Sequence, residues 1–205
     1  DGLVEMTGFD DPTGGRWVIN SIGDKTISGE WTDGKKSLPI ELTRQEFSGG
    51  EDSSVCESPE FVGPRSGGGK VAKSTQTFAG QQFTRLDYQP GKQFAEDSVS
   101  VRSFAIAEEQ SGDAAINRAL RSVLPDGSPN SDLMDCMGLS VSMRGWDGDF
   151  HNQTEPELIT DQWIGAVSSN SSYCGGAHPS HWQARQVFAR SSGNEVDPSR
   201  WIKPG

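Results

Sequence analysis

The sequence predicts an α+β fold: an antiparallel sheet with one main helix, preceded by a short β-meander. Three observations carry that expectation. Short runs rich in Val, Ile, Phe and Trp alternate with polar residues and end at Gly, Asp and Asn turns, the period-two signature of half-buried strands. One stretch shows helical spacing, with Ala115, Ile116, Ala119, Leu120 and Val123 on a stripe, Ser111 or Asp113 as cap and Pro125 as stop. The strong helix formers Ala, Leu and Lys are not abundant, whereas Gly, Ser and Asp are.

Residues 1–47 read as the meander. Gly15–Ile22 is the first strand, Gly23 and Asp24 turn it, and Thr26–Trp31 comes next with Ile27, Gly29 and Trp31 on one face. Asp33-Gly34 is a strong hairpin signal. Ser37–Thr43 then places Leu38, Ile40 and Leu42 on one face, with Pro39 marking an edge or bulge. Three short strands are hard to stabilise alone, so they are expected to end a larger β-barrel or sandwich, or to append to the module C-terminal to them.

Residues 48–75 have the Gly and Ser content of a linker or long loop. Gly67–Lys70 lacks the spacing of a phosphate loop, and Val71 stands where that loop needs a hydroxyl. Residues 76–205 form the α+β module. Gln82–Tyr88 and Asp97–Ala107 read as strands, the latter with Val99, Val101, Ser103 and Ala105 on one face. The helix comes after them, then a loop at Asp126–Asn130. Leu139–Met143 reads as a strand by its alternation, Trp146–Gln153 as a hairpin turn, and Leu158–Ser168 and Trp182–Arg190 as strands. Ser191–Asn194 turns the chain into an exit over Glu195–Trp201, after which a further strand or helix is expected.

The net charge of −11, from 29 acidic and 18 basic side chains, is spread along the chain. Such a surface repels nucleic acid and anionic membrane and steers basic proteins toward itself; it also simply keeps a secreted protein in solution. No apolar run reaches the length of a transmembrane helix. The chain opens Asp1-Gly2-Leu3 with no signal peptide, which is expected of a processed or trimmed product.

The densest run of constrained residues is Tyr173, Cys174, Gly175, Gly176, Ala177, His178, Pro179, His181 and Trp182. Paired glycines admit positive φ, and Pro179 fixes its own φ and pushes His178 out of the α region. This run is a candidate binding surface or structural corner. The favoured role of His178 is a half-buried imidazole bonding the backbone of the glycine turn. Cys136 and Cys174 fall near expected strand ends and read as a disulfide pair, which fits an oxidising compartment such as a bacterial periplasm. Cys56 is left as a free thiol or pairs outside this sequence.

The competing reading is a hydrolase in which Cys174 is nucleophile, His178 or His181 is base and Asp161 or Asp197 orients it. A disulfide to Cys136 would remove the thiolate. No metal or other cofactor is expected: C-x-x-C spacing is missing, and His178 with His181 lack a third ligand. Asp147 and Asp149 flank Gly148 without the further oxygens of a calcium loop, and Glu155 and Glu157 read as solvated loop. Asn152 and Asn170 sit in glycosylation sequons. Trp17, Trp31, Trp146, Trp163, Trp182 and Trp201 are candidates for a glycan groove, although strand tryptophans are more often core.

The run Tyr173, Gly175, Gly176, Ala177, His178 and Pro179, the strand residues Val187 and Phe188, the turn Ser192–Pro198 and the helix residues Ile116–Leu120 resemble the extracytoplasmic domain of RsiV-type anti-sigma factors and PdaC-type peptidoglycan deacetylases. The resemblance covers residues 80–203; residues 16–43 lie outside it. Cys174 stands where the family usually has Thr or Gly, and the family's usual C-terminal helix is missing. The resemblance implies a non-catalytic module of the bacterial cell envelope, periplasmic or secreted. In the RsiV type it is similar to a receptor for lysozyme, a basic cell-wall hydrolase; a cell-wall glycan is the other partner it implies. In the PdaC type it accompanies a catalytic domain that nothing here resembles.

Overall fold

The computed structural model describes residues 2–6, 12–47, 54–95, 97–197 and 199. The exit residues Pro198 and Arg200–Trp201, and residues 48–53 of the expected linker, lie outside these. The chain divides into two compact units, Asp1–Ser48 and Gly49–Gly205.

The first unit is a four-stranded antiparallel meander: β1 (Gly2–Met6), β2 (Pro12–Ile22), β3 (Thr26–Thr32) and β4 (Ser37–Thr43), in that order. The hairpins form where the sequence supplies their chemistry. At the β3–β4 turn Gly34 has φ 84°, and the Asp33 carboxylate accepts from the amides of Lys35 (2.8 Å) and Lys36 (2.7 Å). Those amides hold the Asp33 carboxyl below its ordinary range. Gly29 is required by packing, because a Cβ there would lie 2.2 Å from the Val18 carbonyl. The register aligns three rows on one face: Leu3–Trp17–Trp31–Leu38, Ile19–Gly29–Ile40 and Ile22–Ile27–Leu42. Gly15 is the one buried residue among those described here. Strand β1 escaped the sequence reading because five residues are too few to establish a period.

The second unit holds a six-stranded sheet. Its elements are α1 (Pro59–Ser66), β5 (Lys70–Phe78), β6 (Gln81–Gln89), β7 (Val99–Ala105), α2 (Asp113–Arg121), α3 (Asp132–Arg144), β8 (Asp149–Ile159), β9 (Trp163–Tyr173) and β10 (Ser180–Ala189). The strands lie in sequence order across the sheet. All neighbours are antiparallel except β7 and β8, which are parallel.

The expected α+β class, with one antiparallel sheet and one main helix, is therefore corrected. Among the described residues the protein is mostly β, with two sheets, three α-helices, 48% strand and 18% helix. The physical reason lies in α3. Leu139–Met143 alternates like a strand but is the last turn and a half of a helix that Ser131 caps, its hydroxyl accepting from the Met134 amide, and that Gly145 ends in the left-handed conformation. Leu133, Met134, Cys136, Met137 and Ser140 are its buried face, at spacings of one, three and four. With α2 and α3 both between β7 and β8, the chain has the crossover that a parallel pair needs.

Other boundaries move for local reasons. The expected linker carries α1, which Ser58 caps and Pro59 starts, and the first residues of β5. Residues 149–159, read as hairpin turn and solvated loop, form β8, and the single strand expected over 158–168 is divided by a turn that Thr160 builds with Trp163.

Helices α2 and α3 cover different parts of the sheet. Leu133, Met134 and Met137 of α3 pack with Tyr88, Val99, Val101 and Phe150, whereas Ile116 and Leu120 of α2 pack with Phe104, Ile164 and Phe188. Polar anchors fix α2. The Asn117 side chain bonds both the amide and the carbonyl of Ile106, each at 2.9 Å. Asp113, wholly buried, accepts two bonds from the Arg190 guanidinium (2.9 and 2.7 Å) and the amides of Glu109 and Gln110.

Candidate functional site

The β9–β10 connection is held from three sides. Cys174, the first residue after β9, is bonded to Cys136 of α3, with Cα atoms 4.6 Å apart. The Tyr173 ring, at the end of β9, lies 4.4 Å from the Arg144 guanidinium, which also stacks on Trp146 at 4.8 Å. The Tyr173 hydroxyl donates to the Gly176 carbonyl at 2.9 Å. Gly175 and Gly176 have φ of 96° and 80°, the left-handed region that favours glycine.

Gly148 seats the corner: a Cβ there would stand 2.1 Å from the Tyr173 carbonyl. Gly148→Ala is expected to cost about 1–3 kcal/mol, the range for overpacking, read as a lowered urea midpoint.

Beyond Gly175 the corner is exposed. Gly176, Ala177, His178 and Pro179 form its tip, and His181 and Trp182 open β10, Trp182 with 46% of its surface accessible. His178 is thus exposed rather than half-buried, and the bond to the glycine turn comes from Tyr173 instead. A tyrosine ending a strand just before a glycine pair was the signal available for that role.

Against the disulfide lies a recess of about 340 Å³. Leu139, Phe150, Cys136 and Cys174 line it together with Glu57, Asp132 and Asp135, three exposed acidic residues. Sequence reasoning missed these three residues, because Glu57 reaches the recess from before α1 while the other two come from α3.

The structure does not assemble the alternative catalytic constellation. Cys174 carries no free thiol. Asp161 lies in the turn before β9, about 33 Å from Cys174 at 3.3 Å per residue of that strand, and Asp197 follows the turn that brings Glu195 back against Phe188, in the half of β10 away from Cys174. Cys56 is the free cysteine and is partly exposed.

The remaining candidates resolve as structural. Asp147 makes a bidentate pair with Arg65 at 2.6 and 2.8 Å, joining α1 to the start of β8. Glu155 and Glu157 lie in β8 and pair with Arg102 and Arg185. No group of three metal-ligating side chains occurs among the described residues. The sequon residues Asn152 and Asn170 are buried in the sheet, at 6% and 9% accessibility, where an oligosaccharide cannot be attached to the folded chain. Trp17 and Trp31 pair across β2 and β3, Trp163 begins β9, and Trp201 lies outside the described residues.

Among the described residues no helix is long and apolar enough to cross a membrane. The disulfide fits an oxidising compartment. No protein-family model matches the chain, and no curated protein matches it either.

Proposed function

We propose that this protein is a non-catalytic binding module of the bacterial cell envelope, periplasmic or secreted and of the RsiV/PdaC extracytoplasmic type, which recognises a basic cell-wall hydrolase such as lysozyme. The observation that carries this reading is the recess beside the Cys136–Cys174 bond, lined by Leu139 and Phe150 and by three acidic residues. Such a site suits the stem and charged head of a Lys or Arg side chain from a partner. The disulfide adds rigidity, so little ordering entropy is lost on binding. The net charge of −11 steers a basic protein toward it.

A cell-wall glycan is the second reading, favoured by the exposed Trp182 at the edge of β10. An indole face there would stack on a sugar ring.

Binding of the oxidised protein to lysozyme, by biolayer interferometry at low and high salt, tests the first reading. Affinity is expected to fall with salt, and to fall about tenfold in the double variant Glu57→Gln/Asp135→Asn, whose charges lie at the rim of the contact. Lack of binding at low salt would sink the lysozyme assignment. Binding of soluble peptidoglycan fragments that Trp182→Ala abolishes would then support the glycan reading. Turnover of ester or peptide substrates by the oxidised protein would overturn both.

A further inference from the structure

The recess beside the disulfide has a neighbour. Asp132 of α3 and Phe150 of β8 line it, and the same two residues line a second hollow of about 440 Å³. The chain between α2 and α3 shapes that hollow. It turns on its own side chains: the Asp126 carboxylate accepts from the Ser128 amide at 2.8 Å, and the Ser128 hydroxyl accepts from the Asn130 amide at 3.1 Å. Val123 and Leu124 from this connection, with Leu133 and Phe150 of the core under α3, supply its apolar lining. Because two residues are shared, the two hollows adjoin and form one groove within the second unit.

The two ends of the groove differ in chemistry. Among the described residues, Glu57, Asp132 and Asp135 line the disulfide recess with no basic side chain, whereas Arg121 offsets Asp126 in the second hollow. Hollows of these volumes are about 9 Å across, narrower than a helix with its side chains at about 10–12 Å. An extended chain fits, and centres about 9 Å apart span two to three of its residues at about 3.3 Å each. We propose, resting on the binding reading above, that the groove takes an extended basic protein segment by two side chains two or three positions apart. A Lys or Arg enters the disulfide recess, and an apolar side chain enters the second hollow. An exposed ion pair is weak in water by itself, so the apolar anchor and its spacing supply the selectivity.

Amide NMR titration of the full oxidised chain tests this with capped peptides that carry Arg and Leu separated by one or two glycines, in either order. One spacing and order is expected to bind with a Kd of about 1 mM and to shift Asp132 and Phe150. Asn130→Trp, which fills the second hollow, should weaken that peptide about tenfold and leave unchanged a peptide with Gly in place of Leu. Asp135→Asn should weaken both peptides. Asn130 and Asp135 are exposed, so each variant should melt close to the parent. Peptides that shift neither hollow up to about 20 mM overturn the proposal, and so does binding that Asn130→Trp leaves unchanged. Peptidoglycan fragments that shift Asp132 and Phe150 where the peptides do not would overturn it in favour of a glycan groove. Lysozyme binding that Glu57→Gln/Asp135→Asn weakens but Asn130→Trp does not would leave the lysozyme reading standing and remove the second anchor. Two-anchor peptide binding without lysozyme binding would do the reverse.

Discussion

Asp113→Ala is expected to lower the unfolding free energy by about 3–5 kcal/mol, the range for breaking one half of a buried ion pair. Asp113 is fully buried, and its two oxygens accept four hydrogen bonds. Without it the Arg190 guanidinium, itself 7% accessible, keeps its bond to the Thr160 carbonyl and a 4.0 Å contact with the exposed Glu109 carboxylate but loses its buried counter-charge. The amides of Glu109 and Gln110 lose their acceptor as well. Urea unfolding measures the change, and a midpoint within error of the parent would show that the pair contributes nothing.

The same residue sets an acid dependence. Hydrogen bonds from Arg190 hold the Asp113 carboxyl below the usual carboxylate range, against the opposing effect of burial. A carboxyl depressed in the folded state contributes fully above its unfolded value of about 3.9, and that contribution is lost as pH falls through the lower folded value. Parent stability should therefore decline below about pH 4, and more steeply than that of Asp113→Asn, which has no proton to take up there. Equal slopes would remove Asp113 from the acid response.

Opening the Cys136–Cys174 bond is the second large effect. The two cysteines are 38 residues apart, and closing a loop of that length restricts the unfolded chain by about 3–4 kcal/mol. The double variant Cys136→Ala/Cys174→Ala, compared with the parent by urea unfolding without reductant, should show that loss. Adding reductant to the parent should reproduce it, while the variant stays unchanged. Because the bond joins α3 to the corner after β9, hydrogen exchange should rise first around Gly175–Pro179. A reduced parent with an unchanged midpoint would mean that the Arg144–Tyr173 stack and the core under α3 already hold the corner.

Much of the local structure was legible in the sequence, and the reason differs from element to element. The strands β2, β3 and β4 show in the alternation of Trp17, Ile19, Ile27, Trp31, Leu38 and Ile40, because a strand whose faces differ repeats every two residues whatever it packs against. The face of β7 formed by Val99, Val101, Ser103 and Ala105 is buried throughout, as its spacing predicts. Helix α2 shows in its stripe, and the cysteine pairing in the position of two residues near expected strand ends.

The candidate site was legible in half. The constrained run from Tyr173 to Trp182 stands out by composition, since glycine pairs and proline carry their backbone preferences with them. The acidic residues that line the recess do not, because Glu57, Asp132 and Asp135 have nothing in common until α3 packs beside the turn before α1.

What the sequence determined by itself is the set of local periods and turns: a meander of amphipathic strands, the apolar stripe of α2 and a glycine corner beside a pairable cysteine. What only the tertiary structure decided is which pieces meet. It made Leu139–Met143 helical, because the preceding cap at Ser131 and burial against the sheet outweigh five residues of alternation. It laid β7 parallel to β8 across two helices, and it brought Arg190 to Asp113 over 77 positions of chain. A period is set by neighbours a few residues away and survives in isolation. A partner is set by which distant surfaces bury the most apolar area together, and no local stretch of sequence contains both halves of that choice.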